Sequence, residues 1–588
     1  MRQDTVRHQA LLVYPEMPPT YWSMKYALRF IGKKASFPPL GLLTVAAMLP
    51  EDYEVTLVDM NVEPLRESAV AAADVVFTSS MIVQKDSLAR VIRMCKKHGK
   101  RVVAGGPYPT TSYERIEGVD HFVLNEAEVT LPRFLADFDR GRAERIYLDP
   151  AKPDIALTPA PRFDLIHGKK YSSMALQYSR GCPHNCEFCD IIELFGRKPR
   201  TKTPAQVLRE LDILYEEGWR GSLFVVDDNF IGNMREVRNL LPEVARWQQQ
   251  RNYPFTLFTE ATLSLAEDDR LIDQMVSAGF NMVFLGIETP DQCTLESIGK
   301  RQNLKSDMLA SVRKIQGKGM EVSGGFILGF DTDPEDIFDR QIHFIQNAAI
   351  PTAMVGLLTA APSTRLYRRL QEEGRLREES GGNNTHDLRL NFVPKMDVTR
   401  LLAGYKRVLA EIYKPERYFD RCLKLLKSLK THRTSRRRIR FAELRAFTLS
   451  LLRQTFSRYS WAYWKFLVRG FVAKPAMLAE AVTMAVKGHH FFKITRNMLE
   501  VDRFVRTLEQ LARSFEESIK DTSARGIQVR VAELTAYRDR ALARMRRRYR
   551  RINKDFRVYA EKAIADFQAT VDDLITRVAA GQPPAAAR

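Results

Sequence analysis

A chain of 588 residues is too long for one compact core and is expected to divide into three or four domains. Its 45% hydrophobic and 28% charged residues are those of an ordinary soluble globular protein, and six cysteines in this length exclude a disulfide framework. The net charge of +20 is uneven: about +23 falls in residues 401–588 and about −3 in 1–400, which together give the +20, so the basic character describes an accessory surface.

The opening MRQDTVRHQALLVYP carries no apolar signal region, and the longest uncharged stretch, Gln341 to Thr364, is interrupted by Pro351 and Pro362. Neither a signal peptide nor a membrane span is expected. Residues 1–145 read as a doubly wound, Rossmann-like α/β domain. Strands are expected at 9–15, 54–59, 73–80, 101–107 and 121–126, with helical patterns such as LGLLTVAAMLP and SLARVIRMCKKHG between them. Such sheets bind ligands at the carboxyl ends of their strands. Residues 146–170, with Pro150, Pro153, Pro159 and Pro161, are expected to be a linker without regular structure. From 171 to 395 the alternation resumes. Strands are expected at 174–180, 222–228, 254–261, 282–288, 322–330 and 353–360, and six such units suggest an open (βα)6 barrel. After 396 the strand signal fades. Residues 396–490 are expected to form a helical accessory region and 491–588 a helical extension. In the latter Leu542, Met545, Tyr549, Ile552, Phe556 and Tyr559 repeat as a coiled-coil-like stripe, before a disordered tail at Gly581, Pro583 and Pro584.

The strongest chemical signal is SRGCPHNCEFCDI, a C-x3-C-x2-C run just after a strand. Cys182, Cys186 and Cys189 on one loop can hold three irons of a [4Fe–4S] cluster and leave the fourth open to a small chelating ligand. The plain alternative is a zinc site with His184 as fourth ligand. Cys95, Cys293 and Cys422 stand alone and read as buried small hydrophobes. Clustered cysteines that hold metal fit a reducing compartment, so a cytoplasmic protein is expected.

The loop closely resembles the C-x3-C-x-aromatic-C motif of the radical S-adenosylmethionine superfamily, with Phe188 in the aromatic position. The resemblance implies that the amino-acid end of S-adenosylmethionine chelates the open iron. It implies that an electron from the cluster then cleaves the sulfonium, giving methionine and a 5′-deoxyadenosyl radical that the barrel shields. A flavodoxin- or ferredoxin-like electron donor is implied as a partner. So are roles for later strand ends: Asp227, Asp228 and Asn229 for the amino group, Glu260, Gly286 and Glu288 for ribose and substrate, and Gly325 and Gly329 for close approach of the adenine. An acid at a strand end also serves as an ordinary helix N-cap.

Residues 9–140 resemble the cobalamin-binding module of the B12-dependent class of that superfamily. The resemblance places Pro39, Gly41, Asn61, Ser79, Ser80, Gly105, Gly106, Glu126 and Glu128 on the cobalamin side. The glycine turn at 105–106 lets a cofactor lie close to the backbone. Classical modules carry a His that ligates cobalt from below. Here Asp59-Met60-Asn61-Val62-Glu63-Pro64 puts Asn61 in that place, and an amide is a poor cobalt ligand, so no His ligand is expected on the lower face.

The whole of 1–425, including CDIIELFGRKPRTKT, NFVPKM and the helix through Tyr405 and Lys406, resembles the group that includes the hopanoid C-2 methylase. This implies a C-methyltransferase acting on an unactivated carbon of a polycyclic or isoprenoid lipid. Methylcobalamin would carry the methyl group, and a second S-adenosylmethionine would restore it. An oxidative cyclase or rearrangement enzyme with the same cofactors is a second enzymatic reading. A zinc-stabilised nucleic-acid-binding protein is the reading from a different class. Residues 425–474 mix Arg436, Arg437, Arg438, Lys465 and Arg469 with Trp461 and Trp464. That composition suits a membrane surface, nucleic acid or a plain helical extension. A lipid substrate favours peripheral contact with the inner membrane face, and nucleic acid is not the expected partner. The second basic run, Arg544 to Arg551, reads as the wet face of its helix.

Overall fold

The computed structural model describes residues 8–377, 381–383, 385, 388–430, 441–524 and 531–580. Two units separate, residues 1–490 and 491–588. Arg436, Arg437 and Arg438, and the tail at Gly581, Pro583 and Pro584, lie outside the described residues.

The first sheet comprises β1 (His8–Tyr14), β2 (Tyr53–Asp59), β3 (Val75–Ser79), β4 (Arg101–Gly105), β5 (His121–Val123) and β6 (Ile146–Tyr147). All pairs are parallel, in the order β2-β1-β3-β4-β5-β6. Such strands are covered on both faces, which is why Leu12, Val13, Val76 and Val102 form runs of buried aliphatics. The helices Leu40–Met48 and Ala127–Asp139 pack together on one face, Glu67–Ala72 and Lys85–Lys97 on the other. The order reverses beside β1, so a crevice opens at the carboxyl ends of β1 and β3.

The sixth strand corrects the expected linker. Phe122 N–H donates to Arg145 O at 2.7 Å and Leu124 N–H to Tyr147 O at 2.9 Å, so the chain pairs once more before Pro150 stops it. Three short 3-10 turns follow, at 155–157, 163–165 and 168–170.

The second sheet holds β7 (Ser173–Leu176), β10 (Ser222–Val225), β11 (Thr256–Ala261), β12 (Phe280–Glu288), β13 (Glu321–Leu328) and β14 (Ala353–Leu357). They pair in parallel and in sequence, with β7 and β14 as the outermost strands, as an open six-unit barrel requires. Between β7 and β10 lies a small antiparallel ribbon of β8 (Ser179–Arg180) and β9 (Arg200–Thr201). Along β11, Leu257, Thr259 and Ala261 are buried under helices, while Thr256, Phe258 and Glu260 are partly exposed to the interior.

The segment after β14 covers its edge. Tyr405 and Tyr413, on the helix Val398–Ile412 and at its end, donate their hydroxyls to Val355 O at 3.2 Å and Ala353 O at 2.6 Å. Asn391 brackets Ala360 with two hydrogen bonds, at 3.0 and 2.7 Å. These bonds occupy backbone groups that an edge would leave open. The helices Pro415–Ser428, Phe441–Thr455 and Ser460–Ala473 complete this region, and His490 hydrogen-bonds Tyr21 O at 3.1 Å.

Within the second unit the expected continuous stripe is broken. The helix Val531–Tyr549 ends, a turn intervenes, and Arg557–Ala579 folds back on it, with Arg538 paired to Asp572 at 2.7 Å. Leu542, Met545, Ile552 and Phe556 are buried in this hairpin, while Arg546, Arg547 and Arg548 are exposed. Cys95 and Cys422 are buried as expected, but Cys293 is exposed.

Candidate active site

The β8–β9 ribbon brackets the cysteine loop. Gly181 sits at φ 96°, and a Cβ there would lie 2.9 Å from both Gly196 O and Lys198 O, so only glycine lets the loop close on itself. Further along, Glu187 fastens the loop to two others. Its N–H donates to Ile298 O at 3.0 Å, its carbonyl accepts from Leu366 N–H at 2.9 Å, and its carboxylate meets Arg369 at 2.6 Å. Phe188 is 5.9 Å from the Phe330 ring and packs on the cluster that includes Leu295, Ile298 and Leu366.

Two amide side chains aim N–H groups at the thiols. Asn229 Nδ2 lies 3.8 Å from Cys182 Sγ, and Gln302 Nε2 lies 3.8 Å from Cys186 Sγ. Burial pushes the Cys182 and Cys189 thiols up from their ordinary values. Among the described residues no three or more His, Cys, Asp or Glu side chains form a group that could hold a metal ion. The loop fits an iron–sulfur cluster by its donor chemistry: three thiols on one loop, with N–H donors to sulfur of the kind that tune a cluster.

Behind the loop stands a rim of acids at the strand ends. Asp227 is fully buried and turned into the wall, accepting from Tyr178 N–H at 2.7 Å and Ser179 Oγ at 2.6 Å. Burial pushes its carboxyl up to about 6. Asp228 is pushed up to about 7, by burial first and then by Asp227 and Asp190. Glu260 is pushed up to about 8, by burial and then by Asp228 and Glu288. Asn229 is buried, and its Oδ1 has no hydrogen-bond partner. Burial and mutual repulsion keep these clustered acids largely uncharged while the site is empty, and a cation placed among them would draw them into their charged forms.

Glu288 occupies a left-handed position, φ 63°, and pairs with buried Lys300 at 2.6 Å. A Cβ on Gly286 would sit 2.5 Å from Glu288 Oε1 and 2.7 Å from Lys300 Nζ, so the glycine makes room for the pair. Asn303 donates to Gly286 O at 3.0 Å. Lys300, Gln302 and Asn303 were not singled out from sequence; the signal is the polar run Gly299-Lys300-Arg301-Gln302-Asn303 soon after β12. Gly325 makes room for the Phe284 ring, 3.0 Å from where its Cβ would be. Gly329, at φ 101°, gives its N–H to Asp333 at 2.8 Å.

One layer deeper the barrel interior turns aromatic. Phe224 and Phe258 stack at 4.7 Å, and Phe37, from the N-terminal module, lies 5.1 Å from Phe224. Trp22 lies 5.1 Å from Phe284. The strand register puts Phe224, Phe258 and Met282 in one layer and Glu260 and Phe284 in the next toward the carboxyl ends.

In the N-terminal module, the Asn61 amide is already hydrogen-bonded at both ends, to one backbone N–H and one carboxylate. Its Oδ1 accepts from Met17 N–H at 2.8 Å and its Nδ2 donates to Asp59 Oδ1 at 2.7 Å. Gly106 has φ 91°, and a Cβ there would strike Ser79 Oγ at 2.4 Å. A Cβ on Gly105 would lie 2.8 Å from Val123 O. Thr78 Oγ1 and Ser80 Oγ are buried without hydrogen-bond partners. Pro39 is buried, and Gly41 is exposed with open space above it at the start of its helix. A large cofactor at these strand ends fits the open space and the spare hydroxyls. Glu126 and Glu128 point elsewhere. Arg180 meets them at 2.8 and 2.9 Å, and Arg200 meets Glu126 at 2.7 Å. These ion pairs tie the root of the cysteine loop to the N-terminal module.

Comparison with known proteins agrees with this layout. Residues 34–135 match the B12 binding domain, 176–345 the radical SAM superfamily, and 364–503 a domain of unknown function, DUF4070. An uncharacterized methyltransferase of Synechocystis sp. is 41% identical over 520 residues, 87% of this chain and 97% of that one. The hopanoid C-2 methylase of Rhodopseudomonas palustris is 32% identical, over 83% of this chain and 93% of that one. A solved cobalamin-dependent S-adenosylmethionine radical enzyme, OxsB, with aqua-cobalamin and S-adenosylmethionine bound, shares the fold. Its TM-score is 0.54 at 15% identity, over 85% of this chain and 81% of that one. With two such relatives matched along nearly their whole length, the chain belongs to the cobalamin-dependent radical S-adenosylmethionine methyltransferases, enzymes of the [4Fe–4S] cluster, S-adenosylmethionine and cobalamin.

Proposed function

We propose that this enzyme methylates an unactivated carbon of an apolar lipid, polycyclic or isoprenoid. The observation that carries the reading is the barrel interior. Phe224, Phe258 and Phe37 offer an aromatic floor one layer below Glu260, and Phe284, with Trp22 against it, flanks that acid in its own layer. An apolar skeleton on that floor is favoured by about 25 cal/mol for each Å² it buries. The relative named for a hopanoid supports the same class.

In this reading Cys182, Cys186 and Cys189 are the iron ligands, and Phe188 pins their loop. Bound together, the cluster, S-adenosylmethionine and cobalamin supply hydrogen-atom abstraction and a transferable methyl group. The chain's own residues position the reactants. Asp228 and Glu260 would accept hydrogen bonds from the amino group of S-adenosylmethionine, while Asp227 and Asn229 hold the rim on which they stand. Gly286 and Gly325 leave the wall thin enough for Glu288–Lys300 and for Phe284, and Gly329, at positive φ, lets the chain turn under Leu401. Pro39, Gly41, Ser79, Ser80, Gly105 and Gly106 border the cobalamin, and Asn61 braces the backbone beneath it. Glu126 and Glu128 act through Arg180 and Arg200, fixing the spacing between the two cofactor sites.

A flavodoxin- or ferredoxin-like protein supplies the electron. A lipid substrate partitions into bilayers, so the reading includes peripheral contact with the cytoplasmic face of a membrane. The Phe258→Asp variant tests the floor. It is expected to keep 5′-deoxyadenosine formation and to lose lipid methylation by ten-fold or more, in line with burying a charge without a partner. Undiminished lipid methylation in that variant contradicts the reading.

A further inference from the structure

Within the domain of unknown function, one helix face has no part in the barrel chemistry. The helix Ser460–Ala473 buries Ala462, Tyr463, Phe466 and Leu467 and packs on the helix Pro415–Ser428. Its other face is apolar and open. Trp461 is 80% exposed, Trp464 40%, Val468 56% and Val472 76%. Spacings of three, four and four put these side chains in one stripe along the helix. Phe456, 87% exposed, stands at the turn that leads into it. Single exposed apolar residues are ordinary, but a continuous stripe marks an interaction surface.

The charges around the stripe say what covers it. From Leu444 to Lys474 the chain carries Arg445, Arg453, Arg458, Lys465, Arg469 and Lys474 and no acidic residue. Lys465 and Arg469 are exposed and follow Trp461 at four-residue spacing, along the flank of the stripe. Among the described residues no helix is long and apolar enough to cross a membrane. A short helix with aromatic residues on one face and cations beside them lies in the plane of a bilayer surface. Tryptophan settles at the headgroup level, and the aliphatic stems of Lys and Arg run along the apolar surface with their charges at the phosphates. An apolar protein partner would not need the cations, and a nucleic acid would not need the aliphatic stripe.

We propose that the Ser460–Ala473 face docks the enzyme on an anionic phospholipid bilayer. The proposal deepens the reading of a lipid-directed enzyme, but it rests on this face alone and fails separately from it.

The test uses full-length reconstituted enzyme with two kinds of vesicle, phosphatidylcholine alone and phosphatidylcholine mixed with phosphatidylglycerol. Binding is expected to the mixed vesicles and to weaken, without vanishing, as salt rises. Lys465→Glu with Arg469→Glu should lower that binding by roughly ten-fold or more. Trp461→Ser with Trp464→Ser should lower it in high salt as well. Brominated lipid should quench the tryptophan fluorescence of the unmodified protein, and Trp461→Phe with Trp464→Phe should remove that quenching while binding persists. All variants should form 5′-deoxyadenosine at the parent rate, which shows that they are folded. Failure to bind anionic vesicles at low salt overturns the proposal. So does equal binding by the Trp461→Ser, Trp464→Ser protein, dimerisation that those changes abolish, or RNA that displaces the vesicles. Vesicle binding with no methylated lipid would leave docking intact and refute the substrate reading instead.

Discussion

At the scale of single side chains, burial decides which strand-end acids remain for a cation. Asp227 spends both oxygens on Tyr178 and Ser179, whereas Asp228 and Glu260 stay open to the interior and are held protonated to about 7 and about 8. An unfolded glutamate ionises near 4.5. Between that pH and about 8 the unfolded chain has lost the proton that the folded chain keeps, so this site makes the cofactor-free protein less stable as pH rises. Glu260→Gln is expected to flatten that slope in thermal melts. Calorimetry near pH 7 should show S-adenosylmethionine binding releasing protons, less so in the variant; no proton release in the parent would contradict the assignment.

Arg180 is the opposite case. Burial alone would raise the Glu128 carboxyl, but the hydrogen bond and charge of Arg180 outweigh it, and the net shift is downward. That contribution is present above the ordinary glutamate value and is lost as pH falls below it. Arg180→Ala strands the buried Glu128 carboxylate, Glu126 keeping Arg200, and is expected to cost about 3 kcal/mol, read as a lower unfolding midpoint. A midpoint unchanged at neutral pH would show that the ion pairs do not hold the modules. Glu126 and Glu128 illustrate the limit of a motif. Their place after β5 was readable from sequence, but their partners lie more than fifty residues away, and only the fold brings Arg180 and Arg200 to them. Gln302 was missed for the same reason, since Cys186 lies 116 residues before it. The cysteine loop was legible because all its donors sit within one short run.

At the scale of elements, the strands of the first sheet were legible because buried parallel strands read as aliphatic runs ended by Gly, Asp or Ser. The strand Ile146–Tyr147 was hidden because two residues carry no periodicity and prolines follow closely. The false coiled coil has a physical origin. The end of one helix and the start of the next both bury apolar residues in the same hairpin core, so the spacing runs on through the turn at Asn553. Close packing also sets the fit of the helix Val398–Ile412 on the barrel. A Cβ on Gly404 would lie 2.3 Å from the Phe338 ring. Gly404→Ala is therefore expected to destabilise by about 1–3 kcal/mol through overpacking, measured by denaturant unfolding. A neutral or stabilising effect would mean that this helix sits farther from Phe338 than described.

At the scale of the whole molecule, residues 1–490 bring a cobalamin-type module, an open barrel and an edge-covering helical domain into one unit, and the ion pairs at Arg180 fix the first against the second. On the function proposed above, this assembly moves a methyl group onto an apolar carbon. The most direct measurement gives the reconstituted enzyme S-adenosylmethionine labelled in its S-methyl group, a reductant, cobalamin and a lipid extract, and follows the label by mass spectrometry. The expected product is a lipid heavier by one labelled methyl, formed with one 5′-deoxyadenosine per methyl transferred, and neither product from the Cys186→Ala protein. Sustained 5′-deoxyadenosine formation in the presence of substrate, with the label never entering a lipid, would contradict that function.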